Sequence, residues 1–225
     1  MIKKRTAFIG VILSLIPLGQ TLFIKTGLVL FSSSVMISLA EKLNAETSTF
    51  YFDRGFDKGN KGDYYGAISD FTKALEINSS VGAYYNRGWN KAKLKDYYGA
   101  ILDFSKAIEI DPNYSDAYYN RGWNKAKLKD YYGAISDYSK VIKINPNKEE
   151  AYLNRGFAKH NLNDYYGAVS DYTKAIEINP SYALGFSNRG SSKELIGDMQ
   201  GACSDWRKAS SFGDERAAKW VRNQC

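Results

Sequence analysis

Five arginines recur along the chain, Arg54, Arg87, Arg121, Arg155 and Arg189, and an aspartate follows each of them sixteen residues later: Asp70, Asp103, Asp137, Asp171 and Asp205. A guanidinium and a carboxylate held at one fixed separation form ion pairs. A half-buried arginine is costly without a carboxylate, and its planar fork suits bidentate pairing. Five copies of one pair point to a structural use rather than a catalytic one. Beside the arginines stands a second column, Asn86, Asn120, Asn154 and Asn188, with Asp53 in its first place. A carboxamide offers both a donor and an acceptor, so a ladder of them can bond an extended peptide backbone.

Nothing else in the sequence points to catalysis. His160 is the lone histidine, and no Cys, Ser or acid stands at a spacing that would pair with it as nucleophile and base. No P-loop, dinucleotide-binding glycine fingerprint or metal-ligand cluster is present. Cys203 and Cys225 form no CxxC pair, which argues against a zinc site. They read either as a small core residue and a terminal thiol, or as a disulfide pinning the last helix, which requires an oxidising compartment.

The elements that must position these columns repeat with them. The arginine spacings are 33, 34, 34 and 34, and residues 83–101 recur unchanged at 117–135. Ala67, Ala100, Ala134, Ala168 and Ala202 keep step, as do Phe71, Phe104, Tyr138, Tyr172 and Trp206. The unit Ala117–Pro146 reads as two helices joined by a tight turn, and a fixed period of about 34 residues marks a stacked α-solenoid. Sixteen residues then separate positions on the two helices of one hairpin. Asp63, Asp96, Asp130, Asp164 and Asp198 stand where each second helix begins and are expected to cap it. Pro112, Pro146 and Pro180 are expected to stop the second helices. Tyr84, Tyr97, Ile101, Phe104 and Ile108 recur at helical spacing and are expected in the core.

The unit resembles the tetratricopeptide (TPR) repeat. Gly88, Ala100, Phe104, Ala107 and Pro112 match the family's Gly, Ala, aromatic, Ala and Pro columns, and Tyr84 stands where the family usually has Trp. The resemblance covers roughly residues 47–216 in five copies, about 48–80, 81–114, 115–148, 149–182 and 183–216. The expected fold is all-α: a right-handed α-solenoid of about five helix-turn-helix repeats, with a capping helix at 214–224 to cover the last apolar face through Trp220 and Val221. The arginine column departs from the family, which usually carries Leu there.

The resemblance also implies a binding face. First helices line the concave side of TPR proteins, and the columns that would point inward are Phe52, Tyr85, Tyr119 and Leu153, then Phe56, Trp89, Trp123 and Phe157. In the family the asparagine column beside them often bonds a bound segment. Aromatic walls with amides suit an extended or helical segment of another protein. The groove that clamps acidic chaperone tails needs Lys and Asn in the first repeat, where this chain has Phe52 and Phe56, and Lys in the third, where it has Asp116. Lys93 and Lys127 add positive charge near the groove. The expectation is a non-enzymatic adaptor without cofactor or metal that binds protein partners and assists a membrane-associated assembly. The alternative is a self-associating structural module.

Charge and hydropathy add a leader. The net charge of +7 hints at nucleic acid, but Lys3, Lys4, Arg5, Lys25 and Lys42 stand against Glu41 alone in the first 45 residues, leaving 26 basic and 23 acidic residues after them. Along the repeats the signs alternate, so no phosphate-binding face is expected. Apolar runs at 7–24 and 27–40 follow the basic start. Residues 1–46 therefore read as a leader, either a secretory signal or a retained membrane anchor. With the basic start kept inside, one crossing, the expectation here, would put the repeats, from residue 47 on, on the non-cytoplasmic side, whereas two would return them to the cytoplasm.

Overall fold

The computed structural model describes residues 22–24, 27–29 and 33–225. Two short strands, β1 (Leu22–Ile24) and β2 (Gly27–Val29), pair antiparallel with Leu22 opposite Val29. Most of the first apolar run lies outside the described residues, and with it the expected membrane crossing. No helix among the described residues is long and apolar enough to cross a membrane.

The described residues contain eleven helices in two compact units, one ending at Leu94 and one starting at Lys95. The first unit holds α1 (Ser33–Asn60), α2 (Tyr64–Ile77) and α3 (Val81–Lys93). The second holds α4 (Tyr97–Ile110), α5 (Ser115–Lys127), α6 (Tyr131–Ile144), α7 (Glu149–Asn161), α8 (Tyr165–Ile178), α9 (Ala183–Leu195), α10 (Met199–Ser211) and α11 (Glu215–Gln224). Within each unit every helix packs on the next in the chain.

The helix ends follow from local chemistry. Asp63, Asp96, Asp130, Asp164 and Asp198 each precede a second helix and accept the N–H of the glycine three residues on, at 2.8–2.9 Å. The residue before each of these aspartates turns the chain through the left-handed region: Gly62 and Gly197 do so freely, while Lys95, Lys129 and Asn163 do so at φ of 63–64°. α4, α6 and α8 end at isoleucines, and an extended C-cap residue then leads into Pro112, Pro146 or Pro180, or directly precedes it. α1 differs from the other first helices, which are 13 residues long. Nothing between Ser33 and Thr47 breaks a helix, so it runs 28 residues and passes through the leader boundary read at 46/47.

Small residues let the hairpins close around one large ring each. Phe71, Phe104, Tyr138, Tyr172 and Trp206 are fully buried, as are Ala67, Ala100, Ala134, Ala168 and Ala202 one turn before them. Each ring contributes roughly 2–3 kcal/mol of apolar burial. Gly156 is essential to this closeness: a Cβ there would stand 2.8 Å from Tyr172 Cε1. Phe104 and Ile108 are buried, whereas Tyr84, Tyr97 and Ile101 are only half-buried. At the C-terminal end α11 lays Ala217, Trp220 and Val221 over Phe186, Trp206 and Ala209. The Trp206 and Trp220 ring centroids are 5.4 Å apart. A Cys203–Cys225 disulfide closes this cap onto α10, which decides between the two readings of the cysteines.

Candidate functional site

The arginine and aspartate columns meet within the hairpins. Arg121 donates from Nε to Asp137 Oδ2 at 3.0 Å and from Nη2 to Oδ1 at 2.6 Å. The Arg155–Asp171 and Arg189–Asp205 pairs repeat that fork at 2.6–2.9 Å. Arg54 and Asp70 do so in the first unit. The Arg54 guanidinium bonded to Asp70 holds that carboxyl below its ordinary value; Lys58 adds to the effect and burial opposes it. Arg87 lies half-buried on α3, and Asp103 lies buried on α4.

Two further columns join this network. A lysine one helical turn after the arginine reaches the second carboxylate oxygen: Lys58, Lys125, Lys159 and Lys193, each at 2.8–2.9 Å. The guanidinium also reaches back to the preceding hairpin, donating from Nη1 to Thr72, Ser105, Ser139 and Thr173 from Arg87, Arg121, Arg155 and Arg189 at 3.0–3.1 Å. Those hydroxyls can accept because Thr72, Ser105 and Thr173 donate to their own helix at the carbonyl four residues back. Arg121, Arg155 and Arg189 thus each fasten their own hairpin and the one before it. Asp70, Asp137, Asp171 and Asp205 are buried and face two cations apiece, an arrangement suited to holding helices together. Sequence reasoning missed the lysine and hydroxyl columns, although both repeat with the same period.

The first helices carry the candidate binding face. In the first unit a cleft of about 210 Å³ is lined by Phe56, Gly59, Asn60, Tyr85, Asn86 and Trp89, with buried Phe71 and Asn90 beneath. Phe56 is 46% exposed. Trp89 sets its edge on Tyr64 and lies under Lys93 Nζ, 4.6 Å from the ring centroid. Phe52 is half-buried, edge-on to Phe71.

In the second unit Trp123 is 36% exposed, edge-on to Tyr97, with Lys127 Nζ 4.8 Å above it. Phe157 is 47% exposed. Tyr119 is half-buried against Tyr138, under Lys148 Nζ, which also binds Asp116. Phe56, Trp123 and Phe157 are thus a third or more exposed, and Trp89, Trp123 and Tyr119 each carry a lysine over the ring.

The asparagine column is less available than the sequence implied. Asn86 and Asn120 donate their NH₂ to Gly82 and Asp116 carbonyls within their own helices, and Asn154 donates to Tyr119 Oη at 2.8 Å. Part of the column's donor capacity is therefore spent locally, while Asn188 is half-buried on α9. Leu153 is a correction to the expected groove column. It is 8% exposed and packs with Ala168, Tyr172 and Ala175, because a purely aliphatic side chain at this position folds into the hairpin core, whereas Tyr119 at the same place packs its ring there only partly and has a hydroxyl that accepts from Asn154. His160 bonds Ser192 Oγ at 2.8 Å through Nδ1 and stands edge-on to Tyr165, and burial lowers its pKa. Ser192 is wholly buried, so the pair offers no reachable nucleophile. Among the described residues no group of His, Cys, Asp and Glu could hold a metal ion.

Residues 81–114, 115–148 and 149–182 each match the family model of the tetratricopeptide repeat. No curated protein matches the chain significantly. Among solved structures, a crystal structure of MamA protein is 26% identical, with a TM-score of 0.72 over 78% of this chain and 96% of that one. The structure of YrrB, described as a TPR protein with an unusual peptide-binding site, is 24% identical at a TM-score of 0.72, covering 82% of this chain and 96% of its own. MamA from Desulfovibrio magneticus RS-1, from residue 41 to its end, shares the fold at 20% identity and a TM-score of 0.71, over 74% of this chain and 94% of that one. The chain carries tetratricopeptide repeats, and its helices follow one another in the consecutive packed pairs of a TPR solenoid.

Proposed function

We propose that the chain is a non-enzymatic adaptor whose first helices hold an extended or helical segment of a partner protein. The observation that carries this reading is the set of half-open rings on those helices: Phe56 and Trp89 in the first unit, Tyr119, Trp123 and Phe157 in the second. Exposed aromatic area can serve as an interaction surface, and on the second helices Tyr65, Tyr98, Tyr132 and Tyr166 are exposed as well, at 72–77%. The peptide-binding site described for YrrB supports the same assignment. Lys93, Lys127 and Lys148 over the rings favour segments with some negative charge beside their apolar side chains. The buried Arg–Asp–Lys columns fasten hairpins together and leave no reactive group on this face.

In this reading the leader brings the repeats to a membrane, where they assist assembly of a complex on its non-cytoplasmic side. The Cys203–Cys225 disulfide supports that side, because such bonds persist in oxidising compartments. The test is co-purification from membranes of the source organism with wild-type chain and with Trp89→Ala/Trp123→Ala. Partners retained by the wild type and lost by the variant support the adaptor. Identical recovery removes the aromatic face from the function. Sedimentation of the purified chain addresses self-association, which requires a mass that rises with concentration.

A further inference from the structure

We infer that the cleft between α1 and α3 is a side-chain subsite for a neutral N–H donor, a primary carboxamide of Asn or Gln in the bound segment. This rests on the adaptor reading and names what one of its pockets selects. The key atom is Asn90 Oδ1. Asn90 is 2% exposed, its NH₂ donates to Asn86 O at 2.7 Å, and its carbonyl oxygen has no hydrogen-bond partner. A buried carbonyl without a donor is rare in folded proteins, and each instance asks for a reason. Here the oxygen belongs to a residue that lines the cleft, beneath the rings of Phe56, Tyr85 and Trp89.

Gly59 keeps this acceptor in place. A Cβ at Gly59 would stand 2.9 Å from Asn90 Oδ1, closer than such atoms approach, so any other residue there would push the carboxamide aside. The missing side chain leaves the oxygen room and leaves the cleft open above it. An acceptor at the base of a ring-lined cleft selects for a donor at the tip of a flat group.

Charge narrows the choice. A carboxylate would set its lone pairs against Oδ1. A cation would meet Lys93, whose ammonium already covers Trp89. What remains is a neutral donor, and a carboxamide is flat, fits between rings and carries two N–H bonds. The same side chain recurs at Asn124 in the second unit, also buried and with Oδ1 unpartnered, whereas the next two places in the column are Ala158 and Ser192. One repeat on, the place of Gly59 is taken by Ala92, so the subsite is assigned at Asn90 alone.

The probe is a set of labelled decapeptide pools, degenerate except for a central Gln, Asn, Glu, Lys or Leu, titrated against the full chain by fluorescence polarisation. The Gln and Asn pools are expected to bind about tenfold tighter than the Glu and Lys pools, the worth of one buried hydrogen bond made rather than left open. That preference is expected to vanish in Asn90→Leu, which keeps the volume and removes the acceptor. It is expected to vanish equally in Gly59→Ala, which displaces the acceptor from a different residue and carries the test if Asn90→Leu melts early. Pools that bind without carboxamide preference, or a preference that survives both variants, overturn the subsite and leave the adaptor standing. If no pool binds at all, subsite and adaptor fall together.

Discussion

Removing Arg121 and Asp137 singly and together tests how the hairpins are fastened. Asp137 is 3% exposed on its side chain and receives two bonds from Arg121 and one from Lys125 at 2.8 Å. Arg121→Ala leaves the carboxylate with Lys125 and also frees Ser105 Oγ, so the loss falls at the low end for a broken buried pair, about 3 kcal/mol. Asp137→Ala is worse. It leaves two half-buried ammonium and guanidinium groups facing each other with no anion between them, and costs about 4 kcal/mol. The double variant removes the carboxylate and one of the two cations, so it costs about the same as the worse single change. The coupling energy is then about 3 kcal/mol. For a chain of this size each kcal/mol moves the melting midpoint by about 2–4 °C, so each single variant melts roughly 6–12 °C or more below wild type. Thermal unfolding followed by circular dichroism at 222 nm reads all four proteins. Losses that add within about 0.5 kcal/mol would show that the two side chains do not act as a pair.

Other consequences follow from named contacts. Reducing the Cys203–Cys225 disulfide opens a link across 22 residues, worth about 3 kcal/mol in chain entropy, and should release α11 first; hydrogen exchange is expected to speed up over 215–224 and to stay unchanged over α5 to α8. Burial lowers the pKa of His160 below its ordinary 6.5, so the unfolded chain takes up that proton before the folded one does. The stability gained by keeping His160 neutral is complete above pH 6.5 and is lost as the pH falls through its folded value. Urea midpoints should therefore decline below that pH in wild type and decline less in His160→Gln. Asp70, held low chiefly by Arg54, adds a second decline below pH 3.8, its ordinary value, which Asp70→Asn removes. Gly156→Ala would drive a methyl to 2.8 Å from Tyr172 and is expected to cost about 1–3 kcal/mol, read as a lower melting midpoint.

The period of 34 made the hairpins, their aspartate caps and their prolines legible, because each column answers to a local rule that acts at the same place in every copy. The sixteen-residue step from Arg to Asp was legible for the same reason. The third and fourth members of that network were not read, although Lys125 lies four residues after Arg121 and Ser105 sixteen before it. A surface-seeking lysine and a helical serine have ordinary uses, and only the packing of two hairpins turns them toward one guanidinium. The binding face was read column by column, and there the column is a weaker guide. Tyr119 and Leu153 share a position, yet the tyrosine keeps its hydroxyl at Asn154 while the leucine sinks into the core. Asn86 and Asn120 spend their amino groups on their own helices, a competition that spacing does not reveal. The unpartnered Asn90 and Asn124 oxygens passed unnoticed because an asparagine in a polar helix looks solvated until the neighbouring helices bury it.

The central claim is that the half-open rings of the first helices receive a segment of another protein. Panning a random dodecapeptide display library on the full chain, then titrating the selected peptides against wild type and Trp123→Ala/Phe157→Ala, tests it most directly. Selected peptides that bind wild type and lose about tenfold or more in the double variant, with its melting midpoint unchanged, are the predicted result. A library that yields no binders, or binders that hold the variant as tightly as the wild type, would contradict it.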